Sequence, residues 1–284
     1  MAGDSSADVP KWPVVPRYAT DLFAGTAEYY DKYRVPYPDA MLNDMMKRAG
    51  TTGEGRFLDL ACGTGELALP LAPYFQEVWG VDQERDMIER ARSKAARAGA
   101  SNVRWIVGRA EDVDAPEDSV ELVVIGNAFH RLDRSRVARC ALDWLAPGRC
   151  MAIAGSSSLG TGKEEWQALA RRVLARDRPP EQPAATTTPG ATPGAAERML
   201  SHQEVLTQAG FEEVEQYDFP TPHVWTLDSF VGYLYSTSFA SKGSLGSSAE
   251  SVEEELRREL LAYDPSGRYS ETIDFYYILG RVPA

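Results

Sequence analysis

Asp59-Leu60-Ala61-Cys62-Gly63-Thr64-Gly65-Glu66 follows an apolar entry, Phe57-Leu58, and precedes a helical run. Gly63 and Gly65 have no Cβ and tolerate positive φ, so the backbone can turn sharply off a strand and let a ligand reach the amides at the next helix N-terminus. Val78-Trp79-Gly80-Val81 reads as a second buried strand that ends in Asp82, 17 residues after Gly65. A carboxylate there can accept both hydroxyls of a ribose. Leu67 and Ala68 stand where a dinucleotide fingerprint would carry its third glycine. The spacing therefore points to a nucleoside pocket and away from pyrophosphate binding.

The same period extends along the chain. Strands are expected at 57–61, 78–81, 103–107, 120–125 and 149–154, and helices at 65–74, 84–98 and 134–145. Such alternation means a parallel sheet wrapped by helices. Upstream, residues 1–16 read as disordered. Leu22, Phe23, Tyr29, Tyr30 and Tyr33 then give an aromatic helix stopping near Pro36 and Pro38, followed by a helix over Asp39 to Ala49. Downstream, a helix is expected near Glu164 to Arg176, then a mobile Pro/Thr/Ala-rich loop from Pro179 to Ala196. Ser201-His202-Gln203-Glu204 is a capping box and Gly210 a helix stop, so Ser201 to Ala209 reads as helix. A strand over Glu212 to Phe219, aromatic-rich helical material from Thr221 to Arg268 and a last strand at Ile273 to Val282 complete the chain.

Charge and cysteine content narrow the partners. Lys+Arg number 30 against 42 Asp+Glu, a net charge of −12, which repels polyanions, so nucleic acid is not expected. Cys62, Cys140 and Cys150 form no C-x-x-C pair, which suggests neither a disulfide framework nor a thiolate metal site. The N-terminal stretch carries acids and prolines instead of a basic start with an apolar run, and no span-length apolar segment occurs. A cytoplasmic protein without a membrane partner is expected; a homo-oligomer stays open.

Asp59 to Glu66, the acid at Asp82, Gly108-Arg109-Ala110-Glu111-Asp112 and Ile125-Gly126-Asn127-Ala128-Phe129-His130 resemble the ordered motifs of the class I S-adenosylmethionine (SAM) dependent methyltransferases, in their small-molecule, type 11-like branch. The resemblance covers roughly residues 55–155. It implies an α/β, Rossmann-like fold: a seven-stranded, mostly parallel sheet with helices on both faces, N-terminal lid helices and an inserted acceptor-binding cap. The corresponding division is 17–50 for the lid, 51–155 for the SAM-binding core and 156–284 for cap insertions plus the last helix and strands of the sheet. It also implies SAM as cofactor, leaving S-adenosylhomocysteine as product. Amides around Ala61, Gly63 and Gly65 would lie along the cofactor, Asp82 and Gln83 would sit at the ribose, and Met87, Ala110 and Glu111 would meet adenine, with Asn127 at the fourth strand end. Met87 equally fits a core position and Glu111 a solvated surface. Tyr29, Tyr33 and Arg34 are expected to share one helical face over the cofactor, Arg34 clamping the methionine carboxylate. An ordinary packing role for the tyrosines stays open.

The stretch after the fourth strand bears on reaction class. Base-methylating relatives carry D/N-P-P-Y/F there, whereas this chain has Asn127-Ala128-Phe129-His130. No acid stands at that strand end for a catechol-type magnesium site, so metal-independent transfer is expected. His130 is the candidate base for a hydroxyl acceptor, His223 a weaker one in the cap, and His202 is expected to be exposed. Trp225, Tyr233 and Tyr235 are candidate cap residues for the acceptor. The Ala, Gly, Arg and Pro content resembles actinobacterial biosynthetic enzymes, which implies a natural product of antibiotic type as the small-molecule acceptor. The acidic balance favours an amine such as an amino sugar or aminoglycoside, so N-methylation leads over O-methylation. C-methylation of a terpenoid or polyketide scaffold, and a SAM-binding pericyclase or regulator that no longer methylates, remain alternatives.

Overall fold

A computed structural model describes residues 23–176 and 200–284. The expectations of disorder at 1–16 and of a mobile loop at Pro179–Ala196 lie outside the described residues. In chain order the elements are α1 (Ala27–Tyr33), α2 (Asp39–Ala49), β1 (Arg56–Leu60), α3 (Ala68–Leu71), β2 (Glu77–Asp82), α4 (Arg85–Ala98), β3 (Val103–Val107), β4 (Val120–Gly126), α5 (Arg134–Trp144), β5 (Leu145–Ser156), α6 (Glu165–Arg176), α7 (His202–Ala209), β6 (Glu212–Thr226), α8 (Leu227–Tyr235), α9 (Lys242–Leu245), α10 (Ala249–Tyr263) and β7 (Arg268–Arg281). They build one seven-stranded sheet in the order β3-β2-β1-β4-β5-β7-β6. β1 to β5 run parallel, and β7 runs antiparallel to both β5 and β6. The expected Rossmann-like architecture is therefore present.

The two faces of the sheet are covered by different helices. Met41, Leu42 and Met45 of α2, Trp166 and Ala170 of α6, and Phe230 and Leu234 of α8 share one apolar layer with Phe57 and Val124 of the sheet. Val137 and Ala141 of α5 and Leu206 of α7 share the other with Leu58, Val123 and Ile153. Central strands buried on both sides are continuous apolar runs, as parallel sheets require. α2 thus completes a core layer, with Met41 and Met45 fully buried. Only α1 of the expected lid pair lies beyond that layer, packed against α4 and α8.

Four elements depart from their sequence expectation. The helix expected over 65–74 is reduced to α3 and a 3-10 turn at Ala72–Tyr74, because Pro70 and Pro73 each remove a backbone donor within it. Where helical material was expected from Thr221, β6 continues straight to Thr226 through Pro220 and Pro222, paired with Asp274 and Thr272. An edge strand admits prolines, since its outer side has no ladder bond to lose. β5 and β7 also start earlier than expected, at Leu145 and Arg268.

Candidate functional site

Strand order reverses between β1 and β4, and crevices of such sheets open at the carboxyl ends on either side of that reversal. Both strands leave the sheet through a non-glycine residue at positive φ, Ala61 at +56° and Asn127 at +52°, with Gly63 and Gly65 at +55° and +87° between them. Backbone held in that region costs about 1–3 kcal/mol per residue and collects at functional sites. The Gly63 N–H donates to Asp82 Oδ2 at 2.8 Å and the Glu84 N–H to Oδ1 at 2.9 Å, so Asp82 ties the glycine turn to the end of β2. Asp59, fully buried beneath this turn, accepts the Ala68 N–H at 2.8 Å through Oδ2, while Oδ1 has no partner. Burial, reinforced by the charges of Asp82 and Glu66, pushes the Asp59 carboxyl well above its ordinary range, against the pull of the Ala68 N–H.

That acid sets a pH signature. Its folded pKa lies above the unfolded value, so its contribution to stability is present in acid and is lost as pH rises through the folded pKa. Asp59→Asn removes the cost of the buried charge. The stability gained by this variant over the wild type should grow as pH rises above the ordinary carboxylate range. Urea unfolding of both proteins across that rise checks it; a pH-independent difference would contradict the assignment.

The structure divides the α1 aromatics differently from the sequence expectation. Tyr29 and Tyr33 stack on one another at 6.2 Å, Tyr29 meets Tyr235 at 5.2 Å, and Tyr33 lies against Gly232. Both rings therefore face α8. The face over the glycine turn belongs to Tyr30, which packs on Gly63, and to Arg34. The Arg34 guanidinium lies 4.6 Å from the Tyr30 ring and 5.4 Å from the Tyr233 ring, and Nη2 donates to the Ser236 carbonyl at 3.1 Å. Arg34 Nε is buried without a partner. Tyr30 was missed although its four-residue spacing from Arg34 marks a common face.

Around the β2 and β3 ends, Met87 and Ala110 are buried and Gln83 is exposed. Glu111 is no solvated surface acid: it is 7% exposed, and its Oε1 accepts the Asp133 N–H at 3.1 Å. Asp133 caps α5, so Glu111 joins two loops at this edge.

A cavity of about 450 Å³, counting its open mouth, lies at the carboxyl ends of β4 and β5. Its walls include Arg34, Asn127, Ser156, Trp225, Phe230 and Tyr233, and Gln167 and Glu271 also reach it. The Asn127 amide is fixed by the Ser156 N–H, which donates to Oδ1 at 3.0 Å, and by the Tyr37 hydroxyl, which Nδ2 meets at 3.0 Å. Tyr37, Gln167, Ser156 and Glu271 were not singled out from sequence. Glu271 could have been found only through its register partner across β6 and β7, His223.

His130, His223 and Tyr235 fall outside the cavity wall. The His130 ring borders solvent, and its Nε2 accepts from Arg131 Nε at 3.2 Å. Desolvation, then the positive charge of Arg131, with His202 and Arg134 adding to it, push its pKa down to about 4. A ring so engaged is a weak proton acceptor at neutral pH, and His130 is not part of this cavity wall. The Tyr235 hydroxyl donates to Glu253 at 2.5 Å, and Tyr235 does not line this cavity. His223 stacks edge-on with Trp225 at 4.3 Å, and burial lowers its pKa against the opposing charge of Glu271. His202, expected to be exposed, is half-buried against Phe129. Among the described residues no group of three or more His, Cys, Asp or Glu is placed to hold a metal ion, and no helix is long and apolar enough to cross a membrane.

Residues 57–148 match the family model described as a methyltransferase domain. Among curated proteins, the chain is 37% identical over 116 residues to an uncharacterized methyltransferase, YcgJ, of Bacillus subtilis, covering 41% of this chain and 46% of that protein. It is 31% identical over 112 residues to the probable S-adenosylmethionine-dependent methyltransferase CRG1 of Saccharomyces cerevisiae, covering 38% of each. The chain spans less than half the length of these relatives. A solved structure of a putative type II methyltransferase from Anaeromyxobacter dehalogenans superposes with a TM-score of 0.61 at 23% identity, over 88% of this chain and 99% of that one.

Proposed function

We propose that this chain is a SAM-dependent, metal-independent methyltransferase acting on the nitrogen or oxygen of a small molecule, with an amine acceptor favoured. The methyltransferase-domain match over 57–148 supports the class. The observation that carries the reading furthest is the continuity of two compartments at the β1 and β4 ends. Arg34 lies on Tyr30, which covers Gly63, and the same Arg34 lines the cavity together with Asn127.

The residues present fit the cofactor. Asp82 accepts from the turn through both oxygens, and a carboxylate oxygen can accept more than one hydrogen bond, so Asp82 keeps acceptor capacity for ribose hydroxyls. The orphaned Nε of Arg34 is a buried donor suited to a carboxylate. Bound SAM supplies a methyl group on a sulfonium, and no covalent intermediate on the protein is needed. Trp225, Phe230 and Tyr233 exclude water from the acceptor, and the Tyr37–Asn127–Ser156 network holds the wall between the compartments rigid. A cytoplasmic natural-product enzyme, with an amino sugar or aminoglycoside as acceptor, is the narrower form of this proposal.

Incubation with methyl-labelled SAM and a metabolite extract, followed by identification of the labelled product, tests the reading. Binding of the cofactor with no methylated product from any amine or alcohol would favour the non-methylating alternative. His130→Ala is expected to retain turnover within about threefold of wild type, far from the ~10²- to 10⁴-fold loss of a true base. A loss of the larger size would restore His130 as the proton acceptor.

A further inference from the structure

Glu271 brings a carboxylate to a cavity wall whose other side chains are aromatic, aliphatic and polar, with the Arg34 guanidinium among them. It enters from the β7 side, opposite His223. Gln167, 2% exposed on α6, donates from Nε2 to Glu271 Oε2 at 2.6 Å. Its own Oε1 accepts the Glu164 N–H at 3.0 Å, which fixes the amide so that its donor faces Glu271. The indole N–H of Trp225 donates to Oε1. Both partners are neutral, so the carboxylate is oriented without being neutralised. Two of its four acceptor positions remain for a ligand.

The rest of the wall completes a cation site. Trp225 and Tyr233 rings lie 4.9 Å apart at 40°, and Trp225 and Phe230 6.0 Å apart at 66°, forming an aromatic corner beside the carboxylate. Ring faces attract ammonium groups, most strongly where water is excluded. Two positive or titratable neighbours bear on the same space. Arg34, held by the Tyr30 ring and the Ser236 carbonyl, lies 5.4 Å from the Tyr233 ring, and burial keeps His223 below its ordinary pKa.

We propose that Glu271, oriented by Gln167 and Trp225, forms with Trp225, Phe230 and Tyr233 a subsite for an alkylammonium group, so that the acceptor is selected by positive charge at or beside its amine. This rests on the methyltransferase reading for the role of the cavity, and Glu271 acts as the specificity-determining contact.

Choline and 3,3-dimethylbutan-1-ol share a shape and differ in charge, so they separate charge from fit. Each is titrated into the protein by calorimetry or ligand-observed NMR, with and without S-adenosylhomocysteine. Choline is expected to bind about 10-fold more tightly than the neutral isostere, and Glu271→Gln to abolish that preference. Equal binding of the two probes by the wild type, no binding of choline, or an unchanged preference in Glu271→Gln would overturn the subsite. The wild-type comparison stands even if the variant does not fold. S-adenosylhomocysteine binding is read separately, and its failure would count against the methyltransferase reading while the choline comparison still decides the subsite.

Discussion

Asp82→Ala should weaken binding of S-adenosylhomocysteine roughly 10- to 100-fold, because charge-assisted hydrogen bonds are worth about 1.5–3 kcal/mol. The effect has two sources in the structure. Ribose hydroxyls lose their acceptor, and the Gly63 and Glu84 N–H groups lose the carboxylate that arranges them around it. Burial raises the Asp82 carboxyl above its usual range, opposed by the backbone N–H bonds to Glu84, Gly63 and Gln83, so the fold already carries a cost for this charge. The variant should therefore unfold no more easily than the wild type while binding poorly. Calorimetry paired with thermal melting separates the two; an affinity within about twofold of wild type would remove Asp82 from the ribose site.

Gly80→Ala should destabilise the protein by about 1–3 kcal/mol, the usual cost of overpacking a filled core. Gly80 lies on β2 between Asp59 of β1 and Trp105 of β3. A Cβ there would stand 2.5 and 2.6 Å from two atoms of the Trp105 ring and 3.3 Å from Cys62 Sγ. Trp105 also reaches Gly65, at 2.8 Å from its Cβ position, so the indole cannot move without disturbing the glycine turn. In Gly80→Ala/Trp105→Leu the smaller side chain makes room. The double variant should be more stable than the sum of the single effects predicts, by roughly 1 kcal/mol or more. Strict additivity in urea unfolding would show that the indole is not what excludes the methyl group.

The cofactor half of the site was legible because it is local. Gly63, Gly65 and Asp82 announce a turn and an acid by residue type and spacing, and Asp82 meets Gly63 through one hydrogen bond. The acceptor half was not, since its residues converge from distant segments. Gln167 and Glu271 lie 104 positions apart and meet only because α6 packs beside β7. Trp225 was named for the cap, but its indole was expected on helical material, and the edge strand places it instead. The α1 aromatics illustrate a finer failure. Residues 29 and 33 do share a face, but which face looks at the ligand is decided by α8 and Gly232, and no period within α1 contains that information. The surroundings of His130 were hidden for a related reason: proximity to a strand end says nothing of the arginines that surround it.

β6 carries one further consequence, for how copies of this protein can meet. A long outer strand with free peptide groups is a template onto which another chain can add, the route to aggregates and runaway assembly. Here that strand is interrupted by Pro220 and Pro222 and flanked by Glu212, Glu213, Glu215 and Asp218. An incoming strand would meet missing donors at its middle and like charges at its start. The sheet is thereby closed to lateral growth on this side, which leaves β3 as the edge at which a hydrogen-bonded ladder could be extended.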